Sequence, residues 1–306
     1  MDDDDGDLLS KAHLPQLETA QAKDVEQQQI TPTLPFTAPE AESVNHPELL
    51  RWAQKDLGVA IEDGDVASLM LCLCSAHSDV RRQAQAQLRI LMLRLRGSAV
   101  EDKDQFCMLI GELIETFEQH SLADNKALPY LTGTFATRAL RVLQEPTHFI
   151  YPKLNRYLIK SPDWRITRMP SYWLSNTVLS RPEEDDAYWK EVQWVLDWLV
   201  DGLRTEPDLD ILRRGGVFEK VTALYWSPGA SKGRKAVRER AVEFLYRATC
   251  VVGGSGTLIT RAGVLAWLEM VGQDGDDVAG LMKRRVLDTS EKGRVREWSG
   301  VQVTAS

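Results

Sequence analysis

Apolar residues recur at helical spacing through most of the chain, and the alternation that is typical of strands is scarce. One face that starts at Phe106 has the i, i+3, i+4, i+7 pattern, with Leu109, Ile110, Leu113, Ile114 and Phe117. The same spacing runs from Val80 to Leu95 and from Val237 to Ala248. Further helices are predicted at about 66–75, 130–143, 150–160, 170–180, 187–203, 208–213, 216–226 and 257–271. The pattern predicts an all-α fold.

Short helices separated by Pro and Gly over more than 200 residues are typical of a stacked helical array. The clearest unit is 66–95, in which an apolar helix is followed by Asp79-Val-Arg-Arg-Gln-Ala84, a segment that resembles the second helix of a HEAT-type repeat. No fixed period extends beyond this unit. We therefore predict an irregular α-solenoid of the armadillo/HEAT type.

Both ends of the chain are polar and predicted to be disordered. Residues 1–46 hold a single aromatic residue, Phe36, together with an Asp run and a Gln run, so they cannot bury enough apolar surface to offset their ordering entropy. Residues 273–306 are predicted to be mostly disordered, with a short helix from Val278 to Leu287. The body between them is predicted to comprise HEAT-like repeats at 47–127 and a C-terminal helical domain at 128–272.

The formal charge of −8 lies in the N-terminal segment. Of 37 basic and 45 acidic residues in the 306-residue chain, residues 1–45 hold two bases and ten acids, which leaves 35 of each for the rest. A neutral body is compatible with an anionic partner, so the overall charge does not exclude RNA.

Cysteines and glycine-rich segments do not form a catalytic or metal-binding pattern. Cys72 and Cys74 are two positions apart on a predicted helix, so they project in different directions and cannot share a metal ion. The segments 229–233 and 253–256 match neither a phosphate loop nor a dinucleotide fingerprint, and we predict interhelical turns there. We expect no enzyme activity, no metal and no cofactor.

No membrane attachment is expected either. The longest near-apolar run, Val66 to Ala76, is too short to cross a bilayer. Met1 is followed by four Asp rather than by a secretory signal, so we expect an intracellular protein with reduced thiols.

Two stretches concentrate positive charge. Residues 147–182 contain six bases, one acid and interleaved aromatics, a combination that suits phosphate contact with base stacking. The candidates on one helix face are Lys153, Arg156 and Lys160. A second candidate set, within 211–247, comprises Arg213, Arg214, Lys232, Arg234, Lys235 and Arg238. The alternatives are a solvated basic face over core aromatics, or neutralisation by the acidic stretch 181–210.

The predicted helix 187–203 is apolar on two sides. One stripe runs from Trp189 to Leu203, and Trp194 and Trp198 project from the opposite side. Burial between two layers is the interpretation that the large apolar area of Trp favours. The alternative is an exposed docking site for a protein partner through Trp194 and Trp198.

Several blocks between about 128 and 271 resemble the C-terminal domain of the nucleolar pre-ribosomal-associated scaffold proteins of the Npa/Urb type. The most specific series is Trp194-Val-Leu-Asp-Trp-Leu-Val-Asp-Gly-Leu-Arg-Thr205, then Asp208 to Arg214, then Val217-Phe-Glu219. Further similar blocks are Tyr151-Pro-Lys-Leu-Asn155, Met169-Pro170, Ser227-Pro228, Leu258-Ile259 and Gly263 to Leu268.

This resemblance implies a non-enzymatic scaffold in the nucleus and nucleolus that acts in early assembly of the large ribosomal (60S) subunit. It implies a role in precursor rRNA processing, in the maturation of 5.8S and large-subunit rRNA. The partners it implies are pre-60S assembly factors, precursor rRNA or small nucleolar RNA, and a DEAD-box helicase. Members of that family are far longer than the 306 residues of this chain. A protein-binding α-solenoid adaptor without RNA contact remains the alternative.

Overall fold

The structure is a computed structural model that describes residues 46–121, 125–160, 164–177, 186–227, 235–273 and 277–299. All of these residues belong to one unit of the chain, Ser43–Ser306. Every regular element within them is helical, which confirms the predicted all-α class. The predicted acidic tail, 1–46, lies outside the described residues except for His46.

The first half begins with a 3-10 helix at Pro47–Gln54, and another short one, Cys72–Cys74, follows α2. The α-helices of this half are α1 (Leu57–Glu62), α2 (Asp65–Leu71), α3 (Ser78–Arg96), α4 (Lys103–Ser121), α5 (Tyr130–Leu143), α6 (Tyr151–Lys160) and α7 (Met169–Thr177).

The second half of the described chain continues with α8 (Asp186–Gly202), α9 (Glu206–Arg214), α10 (Val217–Tyr225), α11 (Lys235–Thr249), α12 (Gly254–Thr260), α13 (Val264–Gln273), α14 (Asp277–Asp288) and α15 (Lys292–Ser299). Gly216, with φ +60°, precedes α10 and separates it from α9.

Two predictions about the C-terminal part are wrong. The single helix predicted at 257–271 is two helices, because Gly263 has φ +60° and ends the continuous backbone hydrogen bonding between α12 and α13. The tail predicted at 273–306 as mostly disordered contains two helices within 277–299: α14, which matches the short helix predicted at Val278–Leu287, and α15. Helix α14 is ordered by packing, since Ala279, Met282 and Val286 are buried.

From α2 onward, each third α-helix of the described residues packs against the third helix after it. Helix α2 contacts α5, α5 contacts α8, α8 contacts α11, and α11 contacts α14. Helix α8 thus lies between α5 and α11 and also contacts α7, and it is buried on several sides. The apolar stripes on two sides of α8 are consistent with this position.

The buried side chains of the described residues form one hydrophobic core, with an aromatic cluster at its centre. Phe135 on α5 has its ring centroid within 5.2–6.3 Å of five other aromatic rings. They are the rings of Tyr157, Trp164, Trp173, Trp194 and Trp198. The cluster joins α5 to α6, α7 and α8.

Packing is continuous across the predicted boundary between 127 and 128. The amide of Leu128 donates a 3.0 Å hydrogen bond to the carbonyl of Leu73, and α5 contacts both α2 and α4. Arg81, which is buried near the start of α3, donates to the carbonyls of Ser75 (2.8 Å) and Ala76 (2.9 Å) and to Asn125. The described helices on the two sides of residue 127 therefore form one packing unit.

Candidate interaction surfaces

The segment that carries the family resemblance meets the N-terminal turn of α5 at Leu131. The indole Nε1 of Trp198 donates a 2.8 Å hydrogen bond to the carbonyl of Leu131. The amide of the same residue donates a 3.0 Å bond to Oδ1 of Asp208. Both backbone groups of Leu131 are thus held by side chains of the segment, one from α8 and one from α9.

Asp208 also closes the first turn of its own helix. Its Oδ2 accepts from the amide of Thr205 at 3.0 Å and from the Thr205 hydroxyl at 2.6 Å, an arrangement of the capping-box type. Burial raises the pKa of Asp208 above 3.8, although these hydrogen bonds act in the opposite direction. The side chain joins α9 to α5 and is therefore structural.

Gly202, the last residue of α8, allows the closest approach of α8 to α5. A Cβ atom there would lie 2.8 Å from both Leu131 Cδ2 and Thr134 Oγ1 and 2.9 Å from the Leu131 Cα. The Gly-Leu-Arg-Thr part of the resemblance therefore has a packing reason, because only glycine leaves room for this contact.

The proposed docking role of Trp194 and Trp198 does not fit the structure. Trp194 is 7 % exposed and Trp198 is fully buried, and both pack against Phe135. Burial between layers, which was the favoured interpretation of the helix pattern, is the arrangement found. The rings contribute to the core and present no docking surface.

The three bases predicted on α6 differ in their surroundings. Lys153 pairs with the half-buried Glu191 on α8. Arg156 and Lys160 are exposed, and no carboxylate of the described residues forms an ion pair with them. Two of the predicted bases on this helix are therefore available to a partner.

Further exposed basic residues lie just before α7. Arg165 and Arg168 are exposed, and Tyr172 is 45 % exposed. The Tyr172 ring lies 5.3 Å from the ring of Tyr157 on α6, so the two helices are adjacent here. We call Arg156, Lys160, Arg165, Arg168 and Tyr172 the α6–α7 surface. Tyr157, Trp164 and Trp173, in contrast, are core aromatics.

The second set of predicted bases is divided between α9 and α11. Arg213 forms an ion pair with Asp210, and Arg214, which is 70 % exposed, lies 3.9 Å from the same carboxylate. Both are in the last turn of α9, where positive charge also stabilises the helix dipole.

On α11, Lys235 is exposed, and its Nζ lies 3.6 Å from Oε1 of Glu239. Arg238 is half-buried, with its guanidinium 4.8 Å from the ring centroid of Tyr225. Lys232 and Arg234 lie outside the described residues. The structure thus shows partial neutralisation by carboxylates within this set.

A cleft between α11 and α14 contains interaction residues that the sequence analysis did not select. It has a volume of about 780 Å³, and Lys235 and Arg238 are among the residues that line it. Leu281 and Arg285 of α14 also line it, and neither was a predicted contact residue. The sequence signal that could have indicated these residues is the apolar pair Leu281 and Met282, which precedes three basic residues in the helix predicted at Val278–Leu287.

Within the described ranges, no group of three or more His, Cys, Asp or Glu side chains has the arrangement to hold a metal ion. The described helices also include none that is both long and apolar enough to span a membrane.

A family model described as nucleolar pre-ribosomal-associated protein 1 matches residues 66–267, from α2 into α13. The chain belongs to this family. The match confirms the predicted resemblance, and it begins well before residue 128, the predicted start of that resemblance. The family region therefore includes α2 to α4 as well as the segment that holds Leu131.

Two relatives carry the name nucleolar pre-ribosomal-associated protein 1. The Saccharomyces cerevisiae protein is 25 % identical over 146 residues, which cover 44 % of this chain and 8 % of the yeast protein. The Mus musculus protein is 19 % identical over 210 residues, which cover 67 % of this chain and 9 % of the mouse protein. The matched parts are under a tenth of each relative's length. No solved structure matches the chain.

Proposed function

We propose that this chain is a segment of a non-enzymatic helical scaffold that acts in the nucleolus during early assembly of the large ribosomal subunit. The observation that carries the proposal is the family match over 66–267, because the family is named for association with pre-ribosomes. In this role the scaffold supports processing of precursor rRNA, in the maturation of 5.8S and large-subunit rRNA. It works together with pre-60S assembly factors, small nucleolar RNA and a DEAD-box helicase.

An armadillo/HEAT-type solenoid is the architecture that we propose for the scaffold. The support is the series α2, α5, α8, α11 and α14, in which every third described helix packs on the next. Repeats of two or three helices with nearest-neighbour contacts are the basis of such arrays. The buried Arg81 in the HEAT-like segment supports the same assignment, since it ties the start of α3 to the preceding turn.

RNA contact is assigned to the α6–α7 surface. Arg156, Lys160, Arg165 and Arg168 offer positive charge to phosphates, and the half-exposed Tyr172 offers a ring to a base. Lys153 and Arg213 contribute less, because each already pairs with a carboxylate of the protein.

The test is the binding of the full chain to single-stranded RNA over a range of salt concentrations. The double variant Arg156→Gln/Lys160→Gln removes two phosphate contacts. The slope of log affinity against log salt concentration should therefore become less steep by about 1.4, since each contact contributes roughly 0.7. A matched control is Arg82→Gln/Arg141→Gln, which removes two exposed bases from α3 and α5 and should leave the slope unchanged. Binding that is absent or insensitive to salt would reject the RNA contact.

A protein-binding adaptor without RNA contact is the second candidate function. The observation in its favour is the neutralisation of several candidate bases by Glu191, Asp210 and Glu239. Co-purification of assembly proteins without RNA, together with a failed salt test, would support this candidate over the first.

A further inference from the structure

The cleft between α11 and α14 combines an apolar lining with positive charge. Its volume of about 780 Å³ is bordered by Val242 and Tyr246 of α11 and by Leu281 and Met282 of α14. Leu281 is 67 % exposed and Tyr246 is 46 % exposed, so the cleft presents large apolar groups to solvent. Exposed apolar surface with a polar margin is typical of a protein-binding site.

Two arginines cover tyrosine rings in this cleft. The guanidinium of Arg238 lies 4.8 Å from the ring centroid of Tyr225, and that of Arg285 lies 5.7 Å from the ring centroid of Tyr246. The Arg285 head group contacts the neutral acceptors Thr249 Oγ1 at 3.3 Å and Cys250 Sγ at 3.8 Å. Its positive charge is therefore not balanced by these contacts.

The acidic residues of the cleft have basic partners. Lys235 Nζ lies 3.6 Å from Glu239 Oε1, and Arg240 donates a 2.5 Å hydrogen bond to Glu243. Arg240 also pairs with Asp197 at 2.8 Å, so it is shared between two carboxylates. The lining itself holds three bases, Lys235, Arg238 and Arg285, against the two carboxylates of Glu239 and Glu243, so its formal charge is positive. This arrangement selects a ligand that has apolar side chains and a carboxylate.

The same features disfavour RNA at this position. The guanidinium groups occupy one face of each tyrosine ring, which reduces the area open to base stacking. The apolar side chains of Val242, Leu281 and Met282 offer nothing that a nucleotide backbone can pair with. A protein ligand satisfies both the apolar and the charged parts of the cleft.

We propose that the α11–α14 cleft binds an amphipathic, acidic helix of a partner protein. The cleft residues 235–246 extend over roughly 17 Å at about 1.5 Å per residue, which matches about three turns of a bound helix. Apolar residues of the ligand pack against Leu281 and Tyr246, and a carboxylate pairs with Arg285. This binding is separate from RNA contact at the α6–α7 surface and does not require it.

The test uses three fluorescent 18-residue helical peptides that share one leucine stripe and carry Glu, Gln or Lys on the flanking positions. Binding to the full chain is followed by fluorescence anisotropy. The Glu peptide should bind at least tenfold more tightly than the Lys peptide. Arg285→Glu should reverse this order, which a merely apolar surface would not do.

Leu281→Asp should weaken binding of the Glu peptide at least tenfold. Its matched control is Leu93→Asp on α3, where the leucine is 66 % exposed and far from the cleft in sequence, and affinity should not change. Circular dichroism melting curves establish that each variant is folded. Variants that fail to fold are replaced by Leu281→Gln and Leu93→Gln, with the same expected contrast.

Four outcomes would overturn the proposal. They are equal binding of the three peptides, no binding of the Glu peptide, its displacement by a 12-residue oligouridine, and a dimer of the chain that Leu281→Asp dissociates. The third would assign the cleft to RNA and the fourth to a second copy of the chain. The salt dependence of RNA binding by the α6–α7 surface is measured separately, so a failure of either proposal is recognised on its own.

Discussion

The amide of Leu131 donates a 3.0 Å hydrogen bond to Oδ1 of Asp208, a residue 77 positions later in the sequence. The bond joins the start of α5 to the start of α9, and Trp198 holds the carbonyl of the same leucine from α8. The most specific part of the family resemblance is therefore explained by the packing of three helices. Partner contacts have to be sought on other surfaces.

Asp208→Asn should destabilise the protein. The amide group offers only one acceptor oxygen, whereas the carboxylate accepts from Leu131 with one oxygen and from Thr205 with the other. Leaving a buried donor unsatisfied costs about 1–3 kcal/mol in the free energy of unfolding. Urea denaturation measures this difference. The control is Asp210→Asn on the same helix, where the carboxylate is half-exposed and the expected change is within about 0.5 kcal/mol.

Trp198→Phe should cost more stability than Trp173→Phe. Both rings are buried in the cluster around Phe135, so both variants lose a similar apolar area. Only Trp198 donates a hydrogen bond from its indole, since Nε1 of Trp173 has no partner among the described residues. The expected difference in the free energy of unfolding is about 1 kcal/mol. Equal losses in urea denaturation would contradict a role for the bond to Leu131.

Gly202→Ala should destabilise the contact between α8 and α5 by about 1–3 kcal/mol, because the new methyl group overlaps Leu131 and Thr134. Gly111→Ala on α4 is the matched control. Its Cβ would meet nothing closer than Met92 Sδ at 3.8 Å, and alanine favours the helix by about 0.5–1 kcal/mol. The melting temperature should therefore fall for Gly202→Ala and rise for Gly111→Ala. A shift in the same direction for both variants would be evidence against the close approach at Gly202.

The pKa of Asp79 should depend on His46. The hydrogen bond between His46 Nε2 and Asp79 Oδ2, at 3.0 Å, lowers the pKa of this carboxyl below 3.8. Because the folded-state pKa lies below that of the unfolded chain, the contribution to stability is present above about pH 3.8 and is lost as the pH falls through the folded-state pKa.

His46→Ala should return the Asp79 pKa toward its ordinary value, and His77→Ala, two residues from Asp79, should leave it unchanged. Carboxyl carbon NMR titration measures both effects. If the pKa of Asp79 is the same in the wild type and in His46→Ala, the hydrogen bond from His46 does not lower the pKa of this carboxyl.

Most helices of the described chain could be predicted from the sequence, because their apolar residues keep a 3.6-residue period over several turns. The structure has α3 at Ser78–Arg96 and α5 at Tyr130–Leu143, close to the predicted limits. The two-sided apolar pattern of α8 also predicted its position between two layers. These features depend on local sequence and on burial, which periodicity reports directly.

The short helix predicted at Val278–Leu287 is found as α14, whereas periodicity does not report the break at Gly263 or the helix α15. Gly263 has φ +60°, a backbone conformation that glycine adopts without strain and that the spacing of apolar residues does not indicate. Ion pairs between helices are a further feature that periodicity does not report. Lys153 looked available for RNA on its own helix, but its partner Glu191 lies 38 residues away on α8.

The most direct measurement is ultraviolet crosslinking in nuclei that express the tagged full chain, followed by mapping of the crosslinked RNA and peptides. The account predicts crosslinks between precursor rRNA and peptides from 151–177, and their loss in Arg156→Gln/Lys160→Gln while co-purified assembly proteins are retained. Recovery of no precursor rRNA, or crosslinks that this double substitution does not change, would contradict it.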